Sequence, residues 1–288
     1  MQEAIDDAQP GDTIIAETGT YTENIQINKT ITLKAQGTPT IQPQNPNQPT
    51  ITITANKTTI TGFTITNGAY GIHIQANQCK ITNNNITNNG LGIYLDYSSD
   101  NTIYNNTITN NSDGIVLYGD NNIVYRNSFI GNGVQAENDG ENLFNLDKPI
   151  GGNYWSDYTG KDLDGDGFGD TPYTFTGGQD NLPLIIPKIL SIDPANGAVS
   201  VPFNKTIVVT FNENIFAGPG YGNITVRMPD GTAKVLNKTI SGNKLYLSAV
   251  YGWSPGVKFT VTIPKNAIKN SAGSMLETDY SSTFTVVG

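Results

Sequence analysis

The sequence predicts an all-β protein in two parts, a parallel β-solenoid over residues 1–187 and a β-sandwich over 188–288. Three observations carry this. The composition favours β-branched and turn residues, with 31 Gly, 15 Pro and only 14 % charged residues. A repeat runs through the first part. The patterning then changes near Pro187, from repeats to alternating strands.

The repeat is visible without gaps in ITGFTITNGAYGIHI (60–74), ITNNNITNNGLGIYL (81–95) and IYNNTITNNSDGIVL (103–117), and VYRNSFIGN (124–132) starts a fourth copy. Its starts at Ile60, Ile81, Ile103 and Val124 are 21, 22 and 21 residues apart. Within each copy an apolar pair comes first (Ile60/Ile65, Ile81/Ile86, Ile103/Ile108, Val124/Phe129). A glycine follows in three copies (Gly71, Gly92, Gly114), and then a second apolar pair (Ile72/Ile74, Ile93/Leu95, Ile115/Leu117). Two or three short strands in about 22 residues make one rung of a parallel β-helix, and a leucine-rich framework is absent. Rungs stack about 4.8 Å apart, so identical side chains form ladders. Asn84, Asn106 and Asn127 fall in one register, Asn88 and Asn110 in another, and Asn89, Asn111 and Asn132 in a third.

Upstream, 13–21, 24–33 and 50–60 read as less regular rungs, and the Pro/Gln/Asn-rich stretch 37–49 reads as an inserted loop. Residues 2–12 read as a short amphipathic helix ended by Pro10-Gly11, capping the open end of the solenoid. After Gly133 the repeat fades into aromatics, an acidic run and prolines. Beyond it KILSIDP, TIVVTF, NITVRM, KLYLSAV, KFTVTI and STFTVV alternate as sandwich strands do.

Charge is divided unevenly. Residues 1–187 hold 7 Lys and Arg against 20 Asp and Glu, a net −13, and residues 188–288 hold 9 against 5, a net +4. An acidic solenoid excludes nucleic acid and anionic membranes as partners and favours hard cations. No stretch is apolar enough for direct membrane insertion. Cys79 is the only cysteine, so no internal disulfide forms; it reads as a small buried residue.

The strongest chemical motif is DLDGDGFGD. Asp162, Asp164 and Asp166 occupy positions 1, 3 and 5 of a calcium loop, Gly167 position 6, the Phe168 carbonyl position 7 and Asp170 position 9. Tyr173 stands at position 12, where such loops place a bidentate Glu, so a carboxylate from elsewhere, Asp157 or Asp180, is expected to complete a structural Ca2+ site that clamps the end of the solenoid. Tyr154, Trp155 and Tyr158 beside it read as an apolar lid on the last rung. Eight Asn-x-Ser/Thr sequons (Asn28, Asn56, Asn85, Asn105, Asn110, Asn204, Asn223, Asn237) are glycosylation candidates, with loop sites such as Asn56 and Asn237 expected to be open and ladder-bound ones blocked.

Catalysis finds little support. His73, the only histidine, lies between inward Ile72 and Ile74 and so points out; Arg126 is the only Arg of residues 1–187. Asp96, Asp100, Asp113 and Asp120 read as a solvated face before a catalytic groove. Trp253 reads as sandwich core.

These residues carry two resemblances. The Asn-rich rungs, the opening QEAIDDAQPGDTIIAETGTYTENIQINKTITL and the closing GGNYWSDYTGKDLDGDGFGDTPYTF (151–175) with DNLPL resemble the right-handed parallel β-helix of NosD-like and pectate-lyase-like surface proteins. The stretches 192–215, 241–247 and 263–273 resemble the Ig-like β-sandwich of S-layer and other prokaryotic surface proteins. The resemblances imply an extracellular protein of archaeal type, and the polar opening Gln2–Asp7, which shows no signal peptide, points to a chain trimmed of its export signal or taken from a larger polypeptide. It would act as a surface scaffold or adhesive module, with a cell-wall or surface polysaccharide, or neighbouring surface proteins and self-assembly, as partners. A polysaccharide lyase or epimerase on the β-helix is the alternative. A metal-handling role, implied only by the NosD name, is disfavoured because copper prefers His, Met or Cys, and the chain has one His, one Cys and three Met.

Overall fold

Each isoleucine of the repeat stands over its counterpart one turn away. In a computed structural model describing residues 1–288, Leu33, Ile60, Ile81, Ile103 and Val124 pair rung to rung. Ile41, Ile65, Ile86, Ile108, Phe129 and Trp155 form a second stack. Ile51, Ile72, Ile93, Ile115 and Ala136 form a third. All but Trp155, at 1 %, have no exposed surface. Three parallel sheets of six, seven and six strands result, one per stack. Short strands suffice because every strand face that points inward meets an apolar neighbour above, below and across.

A typical rung is Lys80–Thr82, Asn85–Thr87 and Leu91–Leu95. Its corners explain the asparagine pairs. Asn83, Asn88, Asn105 and Asn110 have positive φ, and each precedes a buried asparagine (Asn84, Asn89, Asn106, Asn111) whose amide joins a ladder. The first residue turns the chain and the second ties it to the next rung. Asn84 Nδ2 donates to Asn106 Oδ1 at 3.1 Å, Asn106 to Asn127 at 2.9 Å and Asn127 to Asn153 at 3.0 Å. Asn89, Asn111 and Asn132 form a second ladder, and Asn101, Asn122 and Asn142 a third that the gapless repeat did not reveal. The amides also satisfy corner backbone groups that no strand partner reaches, as where Asn106 Nδ2 donates to the carbonyls of Ile81 and Tyr104.

The recurring glycine answers to crowding. A Cβ on Gly92 would lie 2.4 Å from the Gly114 carbonyl oxygen, with Gly71 and Gly114 equally hemmed in. Gly92→Ala is expected to destabilise the solenoid by about 2 kcal/mol through forced backbone separation, measurable by denaturant unfolding.

The ends differ in detail from the sequence reading. The helix spans only Gln2–Asp7, with Ile5 buried in the solenoid core and the Lys29 ammonium bonded to the Ile5, Asp6 and Ala8 carbonyls at its C-terminal end. The expected loop 37–49 contains a strand, Thr40–Gln42, that completes the second rung. The repeat also persists two strands beyond Gly133: Val134–Asp139 still pairs with Asp113–Tyr118 although polar residues have replaced its pattern, and Tyr154–Trp155 pairs with Ser128–Ile130.

The chain divides into two compact units. Met1–Gly160 and Gly169–Leu184 form the first; Lys161–Phe168 and Ile185–Gly288 form the second. The second is a sandwich of two four-stranded sheets. One orders Ile189–Asp193, Ile207–Phe211, Lys244–Ala249 and Leu236–Ser241; the other orders Ala198–Val201, Tyr280–Val286, Lys258–Ile263 and Thr225–Arg227. Between them lie Phe211, Trp253, Phe259 and Phe284. Trp253 is buried, and its Nε1 donates to the Lys205 carbonyl at 2.6 Å.

Candidate functional site

The outward face of the third sheet carries a continuous aromatic surface. His73 and Tyr94 occupy adjacent rungs in register, with ring centroids 5.1 Å apart and planes 20° from parallel. Tyr70 lies 5.4 Å from both, stacked on Tyr94 and tilted at 48° to His73. Tyr118 meets Tyr94 edge-on at 5.9 Å, and Tyr97, 86 % exposed, stacks on Tyr118 at 6.0 Å. Five rings from three rungs thus make one platform. The alternation of the strands puts them there: Ile72 and Ile74 turn in, so His73 turns out, and Tyr94 repeats this one rung later.

Asp96 lies beside the platform. It accepts from Gln75 Nε2 at 3.0 Å, sits 3.2 Å from His73 Nε2, and lies 3.5 Å from the Tyr94 hydroxyl. The Gln75 bond, with His73 behind it, holds the Asp96 carboxyl below its ordinary range, and burial raises the Tyr94 hydroxyl. No strand of this sheet carries Lys or Arg, whereas Asp113, Glu137 and Asp139 lie on it. A hollow of about 260 Å³ continues the face past Tyr118, lined by Glu137 and Asp139. A larger one of about 660 Å³ lies at the last rung, lined by Ile123, Leu143 and Phe144 together with the amides of Asn138, Asn142, Asn145 and Asn181.

The acids read as one possible groove fall in two places, Asp96 and Asp113 on the third sheet and Asp100 and Asp120 at one corner, where Asp100 N donates to the Asp120 carbonyl at 3.2 Å. Asp96 follows the strand Leu91–Leu95 and Asp113 begins the strand Asp113–Tyr118. Asp100 and Asp120 are exposed in turns, with Asp120 Oδ1 accepting from Glu141 N at 2.9 Å. Arg126 donates to the Pro149 carbonyl. The tyrosines themselves were missed in the sequence, although Tyr70, Tyr94 and Tyr118 recur near the rung period.

The last rung is sealed by the closing motif. Trp155 stacks on Phe129 at 4.4 Å and on Tyr173 at 4.4 Å, and Tyr154 and Trp155 are buried. Tyr158 meets Tyr173 edge-on. Asn153 ends the first asparagine ladder, and Asp180, without exposed surface, accepts from Asn153 N at 2.6 Å, Trp155 Nε1 at 2.9 Å and Leu182 N at 3.0 Å. Burial outweighs these bonds and pushes Asp180 up to about 6.

Asp180 is therefore spent in the seal. Asp157 accepts from Tyr173 and Gln135. Residues 161–168 group with the sandwich unit, whereas Asp157 and Asp180 belong to the first unit. Asp162, Asp164 and Asp166 do come together, with ligand oxygens all within 4.8 Å of one another. Phe168 is buried beside them in the same segment, while exposed Asp170 belongs to the first unit. Burial and the Asp164 neighbour raise the Asp162 carboxyl, against hydrogen bonds from Gly165, Asp166 and Gly167 N.

All eight sequon asparagines are exposed. The laddered residues are their neighbours, so the ladders block none of them, and Asn237 lies on the strand Leu236–Ser241 instead of in a loop. His73 is engaged by Asp96, and Cys79 is fully buried with Sγ facing the carbonyls of Ala55 and Asn77. These donors do not form a copper site: the one cluster of three or more His, Cys, Asp and Glu is the all-oxygen Asp162–Asp166 group.

Comparison with known proteins accords with this architecture. Residues 185–286 match the bacterial Ig-like domain. A stretch of 77 residues is 46 % identical to the cell surface glycoprotein of Methanothermus fervidus, covering 26 % of this chain and 13 % of that protein. Among solved structures, an alginate lyase from Paenibacillus sp. aligns with TM-score 0.46 and 22 % identity over 54 % of this chain and 61 % of its own. The N-terminal part of the bacterial S-layer protein SbsC aligns with TM-score 0.28 and 20 % identity over 36 % of this chain and 24 % of its own. Residues 6–118 and 75–160 match the family described as periplasmic copper-binding protein (NosD). These matches together span more than half of the 288 residues, and the chain belongs to the NosD family.

Proposed function

We propose that this protein is a non-enzymatic cell-surface scaffold whose solenoid binds a neutral surface or cell-wall polysaccharide along the Tyr70–Tyr118 platform. The observation that carries the reading is the contiguous run of five outward rings, in stacked, tilted and edge-on contact, beside an acidic rim without Lys or Arg. Contiguous exposed aromatic surface marks an interaction site, and tyrosine offers an apolar face with a polar tip to a sugar ring. A linear polymer laid along the solenoid axis meets similar chemistry at each rung. The acidic rim repels uronate-rich chains, which directs the site to uncharged ones. The sandwich serves as spacer and assembly contact, and the exposed sequons as glycan sites on the exported protein. The resemblance to a methanogen surface glycoprotein supports this setting.

Tyr94→Ala and Tyr97→Ala are each expected to weaken glycan binding roughly tenfold, read by calorimetry on glycans selected from an array; exposed Tyr97→Ala leaves thermal unfolding unchanged, whereas Tyr94→Ala lowers stability by about 1 kcal/mol through its lost ring contacts. An array with no neutral ligand contradicts the proposal. A second reading rests on the His73–Asp96–Tyr94 cluster, which has the groups for proton transfer on a sugar. Unsaturated sugar ends appearing on incubation with polysaccharide, and lost in His73→Ala, would replace binding with lyase chemistry.

A further inference from the structure

The acidic loop and Glu213 belong to the same unit of the protein. Glu213 is 6 % exposed, and its Oε1 is buried without a hydrogen-bond partner. Its Oε2 accepts from Asn270 Nδ2 at 3.0 Å, and that nitrogen is held in turn by the Ile185 carbonyl. The loop packs on the same turn. A Cβ on Gly167 would lie 3.0 Å from Asn270 Nδ2 and 2.6 Å from Ala272 Cβ, one on Gly165 would lie 3.0 Å from Asn214 Nδ2, and Ser271 Oγ donates to the Gly165 carbonyl at 2.8 Å. Glu213 and the loop at Gly167 therefore pack on the same residue, Asn270. Burial, against the Asn270 bond and with a smaller push from the Asp162 charge, raises Glu213 to about 7.

The three loop carboxylates lie together, and the loop and Glu213, buried with a bare oxygen, pack on the same turn at 270–272. Burying an unpaired carboxylate next to like charges is costly unless a cation compensates. The residue a twelve-position loop lacks at its end is a glutamate, and the fold brings one from 51 positions after Asp162.

We infer that Asp162, Asp164, Asp166, the Phe168 carbonyl and Glu213 form a Ca2+ site, with Glu213 replacing the absent loop-terminal glutamate. Calcium takes six to eight oxygens in flexible geometry, which three carboxylates, a carbonyl, a one- or two-oxygen glutamate and water supply. The ion pins the loop to the sandwich core, so its binding stabilises that unit.

The test is calorimetric titration of the full chain with calcium chloride, with magnesium chloride as control, and thermal melts with and without chelator. Calcium is expected to bind at one site and raise the melting temperature of the wild type, and Asp164→Asn, at an exposed position, to weaken binding at least tenfold. Glu213→Gln removes the buried charge without changing shape. It is expected to melt no lower than wild type in chelator but to lose the calcium-dependent rise, a pattern that a merely structural glutamate would not give. A wild type that neither binds calcium nor shifts its melt overturns the site. A calcium response unchanged in Glu213→Gln overturns the role of Glu213.

Discussion

Asp180→Ala is expected to lower the stability of the solenoid by about 3 kcal/mol at neutral pH. The side chain lies where the repeat ends and no further rung can satisfy the exposed corner. Its two oxygens take the donors of Asn153, Trp155 and Leu182, and removing them strands buried N–H groups at about 1–3 kcal/mol each before relaxation. Water entry at the cleared site recovers part of that. The carboxyl also carries a pH signature. Its folded pKa, near 6, lies above the ordinary carboxylate range, so the folded state holds the proton more tightly than the unfolded chain. Stability from this group is greatest when it is protonated and falls as pH rises from about 4 to about 6, by at most about 3 kcal/mol, then levels off. The fall should be absent from Asp180→Ala. The two tryptophans divide the readout, Trp155 reporting the solenoid and Trp253 the sandwich; in a Trp253→Phe background, denaturant unfolding followed by fluorescence measures the solenoid alone. A pH profile identical in wild type and variant would contradict the assignment.

Asn106→Ala is expected to cost about 2–4 kcal/mol from the middle of the solenoid. Asn106 Oδ1 receives the backbone N of Asn84 at 3.0 Å and its Nδ2 at 3.1 Å. Asn106 Nδ2 reaches Ile81 O, Tyr104 O and Asn127 Oδ1. Truncation leaves a buried N–H at Asn84 and unsatisfied carbonyls on two rungs, with no solvent path to replace them. Asn105→Ala, one residue earlier, tests the division of labour at the corner. That residue is exposed with φ of 56°, so its loss costs only the backbone penalty, of order 1 kcal/mol. Equal losses at the two positions would contradict the ladder account.

How much of this was legible beforehand depends on what repeats. Ile81 over Ile103 and Asn84 over Asn106 follow from spacing, since a parallel rung can only stack like on like. The third ladder, Asn101–Asn122–Asn142, was hidden because its corner falls outside the segments that align without gaps. Residues Val134–Asp139 escaped because their rung keeps backbone pairing while Asn138 replaces the inward Leu117. Tyrosines of the platform come from different offsets within the rung, Tyr70 three residues before His73 and Tyr97 three after Tyr94, so only folding gathers them. Glu213 was out of reach for a related reason: nothing local links it to the loop at 162–168, which joins the sandwich unit across intervening solenoid sequence.

Stacked rungs gather the five rings into one continuous face on the third sheet. A crystal structure of the full chain grown with an array-selected neutral oligosaccharide tests the glycan reading of that face most directly. The account predicts sugar rings lying over Tyr94 and Tyr97 and running along the solenoid axis. Sugar bound instead in the hollow between Asn138 and Asn181, with the tyrosine platform bare, would contradict it.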